Sequence, residues 1–346
     1  MLQFLSAAIG TTWELPFEIP YIQWLQSLGG KGSFLYYLMN FISMFGEEMI
    51  LVGVMGLIYW GIDKSKGEKI GFMMISASLL TPMVKNVVCR TRPFDSHPNT
   101  VANLRDVDGY SFPSGHSSGS ASLFLGTAVV YRKQHKWLLA TGIAIPLLVA
   151  LSRNYLGAHY PTDVVAGLAL GVGVVFLANW LYKVLPNKYV LYGAFLAIGF
   201  AGFFYCTTTD FFTSYGLSVG FVLGLLFEEK VVNFQNTKTW WRIVLRVAVG
   251  GGLYLGMNVA IKAVVKAIYP SYAEDFWFES IFRTVRYAVL SFALIGVYPM
   301  LFAPAEKLWK KLGLMKEAKT VPETTATANK TTTGETTATV DDVTAV

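Results

Sequence analysis

Nine apolar runs follow one another between Gly46 and Pro304, each close to the length of about 20 residues that a helix needs to cross a bilayer core. They fall at residues 46–62, 69–89, 115–131, 137–152, 161–182, 189–206, 213–228, 243–267 and 284–304. Hydrocarbon offers no partner to a backbone N–H or C=O, so runs of this length have to close their hydrogen bonds internally as helices. The expected fold is therefore all-α, a polytopic membrane helix bundle. A soluble globule is excluded by a chain that is 53% hydrophobic and 14% charged.

The flanking segments differ in kind. Before the first run, Trp13, Trp24, Tyr36 and Tyr37 alternate with Pro16, Pro20 and Gly29-Gly30. Such a mixture suits amphipathic helices lying in the membrane interface, so residues 1–45 form an interfacial N-terminal segment in which 33–44 is the one part able to make a tenth, shallow crossing. The start of the chain has no basic region and its apolar stretch breaks at Thr11-Thr12, so no signal peptide is expected. Residues 313–346 are Thr- and Ala-rich, without apolar periodicity, and are expected to be a disordered tail. The sequon Asn329-Lys330-Thr331 carries no weight if that tail is cytoplasmic. Cys89 and Cys206 fit neither a disulfide framework nor a metal-ligand spacing, and one bridge between them is conceivable only if both lie near the same face.

Charge sets the orientation. Lys64, Lys66 and Lys69, then Arg132, Lys133 and Lys136, then Lys183 and Lys188, then Lys230, Lys238 and Arg242, then Lys307, Lys310 and Lys311 all fall in connections on one side. The positive-inside rule makes that side cytoplasmic, with the C-terminus inside and the N-terminus outside. The net charge of +6 thus belongs to membrane topology, and no nucleic-acid partner is expected.

Most basic residues of the opposite side belong to three clusters: Lys85 with Arg92-Pro93; Pro113-Ser114-Gly115-His116; and Ser152-Arg153 with His159 and Asp163. Charge kept at membrane depth is costly and is presumed functional. Lys85, Arg92 and Arg153 supply the point charge and guanidinium forks that suit a tetrahedral phosphate, and the amides of Ser114 and Gly115 open a helix whose N-terminus favours an anion. Two histidines add a reaction: one imidazole attacks phosphorus and the other protonates the departing oxygen. Asp163 follows His159 by four residues, and Pro161 suits the first position of a helix, which keeps the carboxylate near the ring to fix its tautomer.

These three motifs, in this order and with these spacings, resemble those of the type 2 phosphatidic acid phosphatase superfamily, which includes lipid phosphate phosphatases and vanadium haloperoxidases. The resemblance spans about residues 46–185 and implies a six-helix phosphatase core, partly built by the interfacial N-terminal helices. It further implies that Lys85, Arg92, Ser114, Gly115 and Arg153 bind phosphate, that His116 is the acid, His159 the nucleophile and Asp163 its orienting partner, and that neither a metal nor another cofactor takes part. Residues 186–312 carry about four further membrane helices and no copy of the motifs. There Lys262 and Lys266, one turn apart, and Arg283 and Arg286 put four cations on the outer face, against the positive-inside trend, where a second head-group site is expected.

Other charged residues take ordinary readings: His97 and His135 as solvated or hydrogen-bonded, Arg90 and Arg105 as solvated loop arginines, and Glu47-Glu48 as acids suited to a helix N-terminus. The expected function is an integral-membrane phosphatase of a phospholipid or polyprenyl phosphate, such as undecaprenyl diphosphate or phosphatidate. It would act through a phosphohistidine on the extracytoplasmic face of a bacterial cytoplasmic membrane. A lipid transporter or scramblase retaining a phosphate site without turnover is the alternative, although transport requires neither the two histidines nor the aspartate.

Overall fold

The computed structural model describes residues 13–311; the first twelve residues and the Thr-rich tail lie outside the described residues. Every expected run is helical, and no strand occurs among the described residues. Two helices precede the first run, α1 (Glu18–Ser27) and α2 (Phe34–Met44). Then come α3 (Glu48–Gly56) with a π-helical turn at Leu57–Ile62, α4 (Lys64–Val88) and the short α5 (Pro93–Ser96). The third run is α6 (Gly115–Ser120) and α7 (Gly126–Tyr131) joined through a π-turn, followed by α8 (Leu138–Tyr155) and α9 (Pro161–Val184). After residue 186 stand α10 (Lys188–Phe200), α11 (Thr209–Phe227), α12 (Trp240–Ile268) and α13 (Phe276–Phe292). Up to Pro304 the chain is one compact unit, and from Ala305 the described residues complete α14 (Phe302–Lys311).

Among the described residues six helical runs are long and apolar enough to cross a membrane alone, and α2 with α3, bent by 48° to one another, passes the same test as a pair. Residues 34–44 thus form a helix that meets the run that follows at a bend. Its break holds Gly46, where a Cβ would lie 2.8 Å from the Cβ of His116. A broken helix thus lets its backbone press on a motif histidine where a side chain would collide.

The loop ends gather at two opposite ends of the bundle. At one end Lys64 pairs with Glu228 at 3.0 Å, and Lys188 with Glu68 and Glu229 at 2.8 and 2.9 Å. The three motifs meet at the other end, with the buried, free Cys89 and Cys206. Between the two ends lies an apolar core built from α3, α4, α9, α10 and α11 and dominated by Met and aromatic side chains.

Small residues set the closest helix approaches. A Cβ on Gly220 of α11 would lie 2.2 Å from the carbonyl oxygen of Ala288; Gly216 also faces α13, and Gly224 faces Ile295 and Gly296 in the π-helical turn that follows α13. Without a hydrophobic drive between membrane helices, such a glycine stripe gives the backbone contact that holds α13 on α11. On α9, a Cβ at Gly167 would lie 2.4 Å from the Ser114 carbonyl oxygen, so the start of α6 rests directly on α9.

Candidate active site

Helix ends aim the motif residues at one another. Cys89 adopts φ 52° and closes α4 by donating its N–H to the Lys85 carbonyl at 2.8 Å, which turns the chain and carries Arg90 and Arg92 into the protein. Ser114 caps α6 by accepting from the Ser117 N–H, and its own N–H donates to the Asp163 carbonyl at 2.9 Å. Pro161 opens α9 as expected, and the Asp163 carboxylate reaches back to accept the Tyr160 N–H at 2.9 Å.

His159 is 2% exposed and contacted on both ring nitrogens. Its Nδ1 faces Asp163 Oδ2 at 3.5 Å and Ser111 Oγ at 3.4 Å; Ser111 also donates a short hydrogen bond to the same carboxylate oxygen. Its Nε2 lies 3.4 Å from Arg92 Nη1. Asn154 holds the His159 carbonyl through its side-chain amide at 2.9 Å. With acceptors on the Nδ1 side, the proton sits there and Nε2 keeps its lone pair toward the cations. Burial, and after it the charges of Arg92, Arg153 and Lys85, hold this imidazole well below the usual histidine range, so it is neutral near pH 7.

The three expected cations converge. Arg92 spends Nε on the Gly109 carbonyl at 2.9 Å, Nη2 on Asp108 at 2.7 Å and Nη1 on Ala158 at 2.9 Å, which fixes the guanidinium plane. Arg153, 1% exposed, donates from Nη1 to Ser43 Oγ at 2.9 Å and lies within electrostatic reach of Arg92 and His116. Lys85 Nζ stands 3.4 Å from Asp210 Oδ2. A cavity of about 420 Å³ has Lys85, Gly115 and His116 on its wall; Arg92, Arg153 and His159 are buried and do not line it. His116 Nε2 is buried and has no hydrogen-bond partner.

Several residues of this site escaped the sequence reading. Arg90, read above as a solvated loop arginine, is fully buried and bridges Asp163 Oδ1 at 2.6 Å and Glu18 Oε2 at 2.8 Å, with Trp13 and Tyr160 stacked on its guanidinium. Glu18 comes from the segment expected to lie in the interface, yet it is fully buried and also accepts from the Thr162 N–H at 3.0 Å. Arg105 is likewise not free: it pairs with Glu47, which is the N-cap of α3 but makes no side-chain cap. Asp210, at the start of α11, brings the C-terminal helices into the site. His97 does take its ordinary role, hydrogen-bonded to Glu14 at 2.8 Å.

Of the four outer cations, Arg283 stands on the cavity wall and Arg286, one turn on, is 3% exposed; Lys262 lies within electrostatic reach of both. Lys266 stands one turn beyond Lys262 on α12. It is exposed in the last turn of α12, where a helix C-terminus and solvent already suit an ammonium.

Two family models match the chain: the PAP2 superfamily over residues 68–187, and the PAP2 superfamily phosphatase transmembrane extension over residues 212–310. The undecaprenyl-diphosphatase of Sulfolobus acidocaldarius is 32% identical over 44% of this chain and 72% of its own length. Phosphatidylglycerophosphatase B of Bacillus subtilis is 32% identical over 43% of this chain and 68% of its own length. Human sphingosine-1-phosphate phosphatase 2 is 23% identical over 82% of this chain and 79% of its own. The crystal structure of a transmembrane PAP2-type phosphatidylglycerolphosphate phosphatase from Bacillus subtilis aligns with a TM-score of 0.42 at 25% identity, covering 54% of this chain and 94% of that one. Relatives that are membrane lipid phosphatases and a motif region matched together with its transmembrane extension make this integral membrane protein a member of the PAP2 phosphatase superfamily.

Proposed function

We propose that the protein hydrolyses a lipid phosphate or diphosphate at the non-cytoplasmic leaflet, through a phosphohistidine on His159 and without a metal. The observation that carries this reading is the orientation of His159: Nδ1 faces Asp163 and Ser111, and Nε2 points toward Arg92. In the first step Nε2 forms a bond to phosphorus as the bond from phosphorus to the lipid oxygen breaks, and His116 gives that oxygen its proton. In the second, water attacks phosphorus, the N–P bond breaks, and the proton released by water returns to His116. The Nδ1–H stays on His159 throughout, stabilised by Asp163 as positive charge builds on the ring. Lys85, Arg92, Arg153 and the amides of Ser114 and Gly115 balance the phosphoryl charge.

The surroundings favour a lipid. The 420 Å³ cavity shares Glu48, Val52 and Tyr287 with a second, largely apolar cavity of about 350 Å³ between α3, α12 and α13. A phosphate beside Lys85 and a hydrocarbon chain in the apolar cavity place one lipid across both. Undecaprenyl diphosphate and phosphatidylglycerol phosphate, which two relatives are named for, fit this class. The lysine-rich loop ends gather at the far end of the bundle, which supports an extracytoplasmic site in a bacterial cytoplasmic membrane.

The test is phosphate release by purified protein in detergent with EDTA, across a panel of lipid phosphates. Activity that survives EDTA and disappears in His159→Ala is expected. Full activity in that variant, or loss with EDTA restored by a divalent ion, would sink the mechanism.

A further inference from the structure

The outer ends of α12 and α13 carry a row of polar groups that the reaction does not use. Tyr254, Asn258 and Lys262 follow one another at four-residue steps along α12, and Arg283, Arg286 and Tyr287 share one side of α13. Arg283 and Tyr287 line the catalytic cavity; Asn258, Tyr254 and Tyr287 line the apolar one. The row therefore borders both.

Its donors are under-used. Arg286 is 3% exposed, and its Nε and Nη2 have no hydrogen-bond partner. The rings of Phe282 and Tyr287 lie 5.2 and 4.8 Å from its guanidinium carbon, but rings engage the face of a guanidinium and leave its N–H edge free. Arg283 gives Nη2 to Glu279 at 2.5 Å, and its Nε is buried without a partner. Lys262 stands within electrostatic reach of both arginines, with Glu279 as the acid in the same group. Arg283 lines the catalytic cavity and Arg286 is buried one turn on from it; guanidinium edges left open in this way are costly unless something accepts from them, and what suits them is a forked, anionic acceptor.

We propose that Arg283, Arg286 and Lys262 form a second anion subsite, which takes a second phosphate-type group on the head of the same lipid whose scissile phosphate lies at Lys85, and which selects lipids with two anionic groups over those with one. The proposal rests on the lipid phosphatase reading above. It assigns the C-terminal helices to substrate choice and leaves the chemistry to the motif residues.

The experiment compares two substrate pairs, polyprenyl diphosphate with polyprenyl monophosphate and phosphatidylglycerol phosphate with phosphatidate, in wild type, Arg286→Gln, Arg283→Gln and Lys262→Gln. Lys262 is exposed and Arg283 lines the cavity, so the set does not hinge on whether Arg286→Gln folds. Wild type should prefer the two-anion member of each pair. The arginine variants should raise KM for that member about tenfold, as expected for one lost charge-assisted hydrogen bond, with kcat and the one-anion KM unchanged. Parallel shifts for both members, or none, would overturn the subsite. Inhibition of one-anion hydrolysis by free pyrophosphate that vanishes in Arg286→Gln, with no change on the two-anion lipid, would overturn the assignment to substrate in favour of a free anion. Binding of each lipid to His159→Ala, which does not turn over, is read in parallel. A two-anion preference in binding that Arg286→Gln removes stands even if the phosphohistidine mechanism fails, and equal binding of both members overturns the subsite independently of catalysis.

Discussion

Replacing Arg90 by Gln should damage both stability and turnover. Arg90, Asp163 and Glu18 are all fully buried, and the guanidinium is the counter-charge of both acids at 2.6 and 2.8 Å. Gln retains some donors and packing volume, but it leaves two carboxylates without a cation. Breaking a buried ion pair by removing one partner costs on the order of 3–5 kcal/mol, because the survivor stays uncompensated. The stacking of Trp13 and Tyr160 on the guanidinium is lost as well, worth about 1–2 kcal/mol. Part of this is recovered when an acid takes up a proton, so a net loss of about 3 kcal/mol is expected. Asp163 keeps its hydrogen bonds from Ser111 and the Tyr160 N–H but loses the cation on Oδ1, so its alignment on His159 weakens and kcat should fall by about tenfold or more. The assay is equilibrium unfolding in mixed detergent beside kcat on a soluble short-chain lipid phosphate. Adding Glu18→Gln to Arg90→Gln should restore part of the stability and little of the activity, because Asp163 remains unpaired. A loss below about 0.5 kcal/mol with normal kcat, the behaviour of a surface pair, would show that Arg90 does not hold the buried acids.

Three further outcomes follow from the same geometry. Asp210→Asn removes the partner of Lys85 at 3.4 Å, so inorganic phosphate should inhibit about two- to fivefold more tightly, and an unchanged inhibition constant would show that Asp210 does not compete with phosphate. Gly220→Val sets side-chain carbon where a Cβ would already lie 2.2 Å from the Ala288 carbonyl oxygen; a loss of about 1–3 kcal/mol, or separation of α13 from α11 seen by cysteine crosslinking, is expected, and native stability would contradict the packing. His159 has a folded pKa held below its unfolded value near 6.5, so the unfolded chain takes up the proton first as pH falls, and the folded state loses stability from about pH 6.5 downward. Melting temperature against pH should fall less steeply in His159→Gln, and identical slopes would refute a neutral His159.

How much of this was legible in the sequence follows from the range of each interaction. The His159 and Asp163 pairing was readable because four residues and a proline at a helix start fix it locally. The helical runs were readable because hydrocarbon length is a one-dimensional property. Arg90 was not, since its partner Glu18 lies 72 residues earlier in a stretch whose mixed composition reads as interfacial. A signal did exist: Arg90 stands two residues before the motif Arg92 at the end of an apolar helix, where the cost of charge applies to both. Asp210 was hidden for the same reason, 125 residues from Lys85. The outer cations were found by their violation of loop-charge asymmetry, but that count could not separate the exposed Lys266 from the buried Arg286. Neither could it foresee the bend at Gly46, because a glycine between apolar runs does not announce which side chain will press on it.

In the proposed mechanism His159 carries the phosphoryl group. Without His116 the leaving group is poorly protonated and water poorly activated, so turnover in His116→Ala should drop about 100- to 10,000-fold. If breakdown of the intermediate slows more than its formation, the phosphoenzyme accumulates. His116→Ala should therefore be incubated with a lipid phosphate bearing a labelled phosphoryl group, quenched in alkali to preserve N–P bonds, and mapped by mass spectrometry. Label is expected on the peptide containing His159 and none in the His116→Ala/His159→Ala double variant; label on another residue, or label that persists in the double variant, would rule out His159 as the nucleophile.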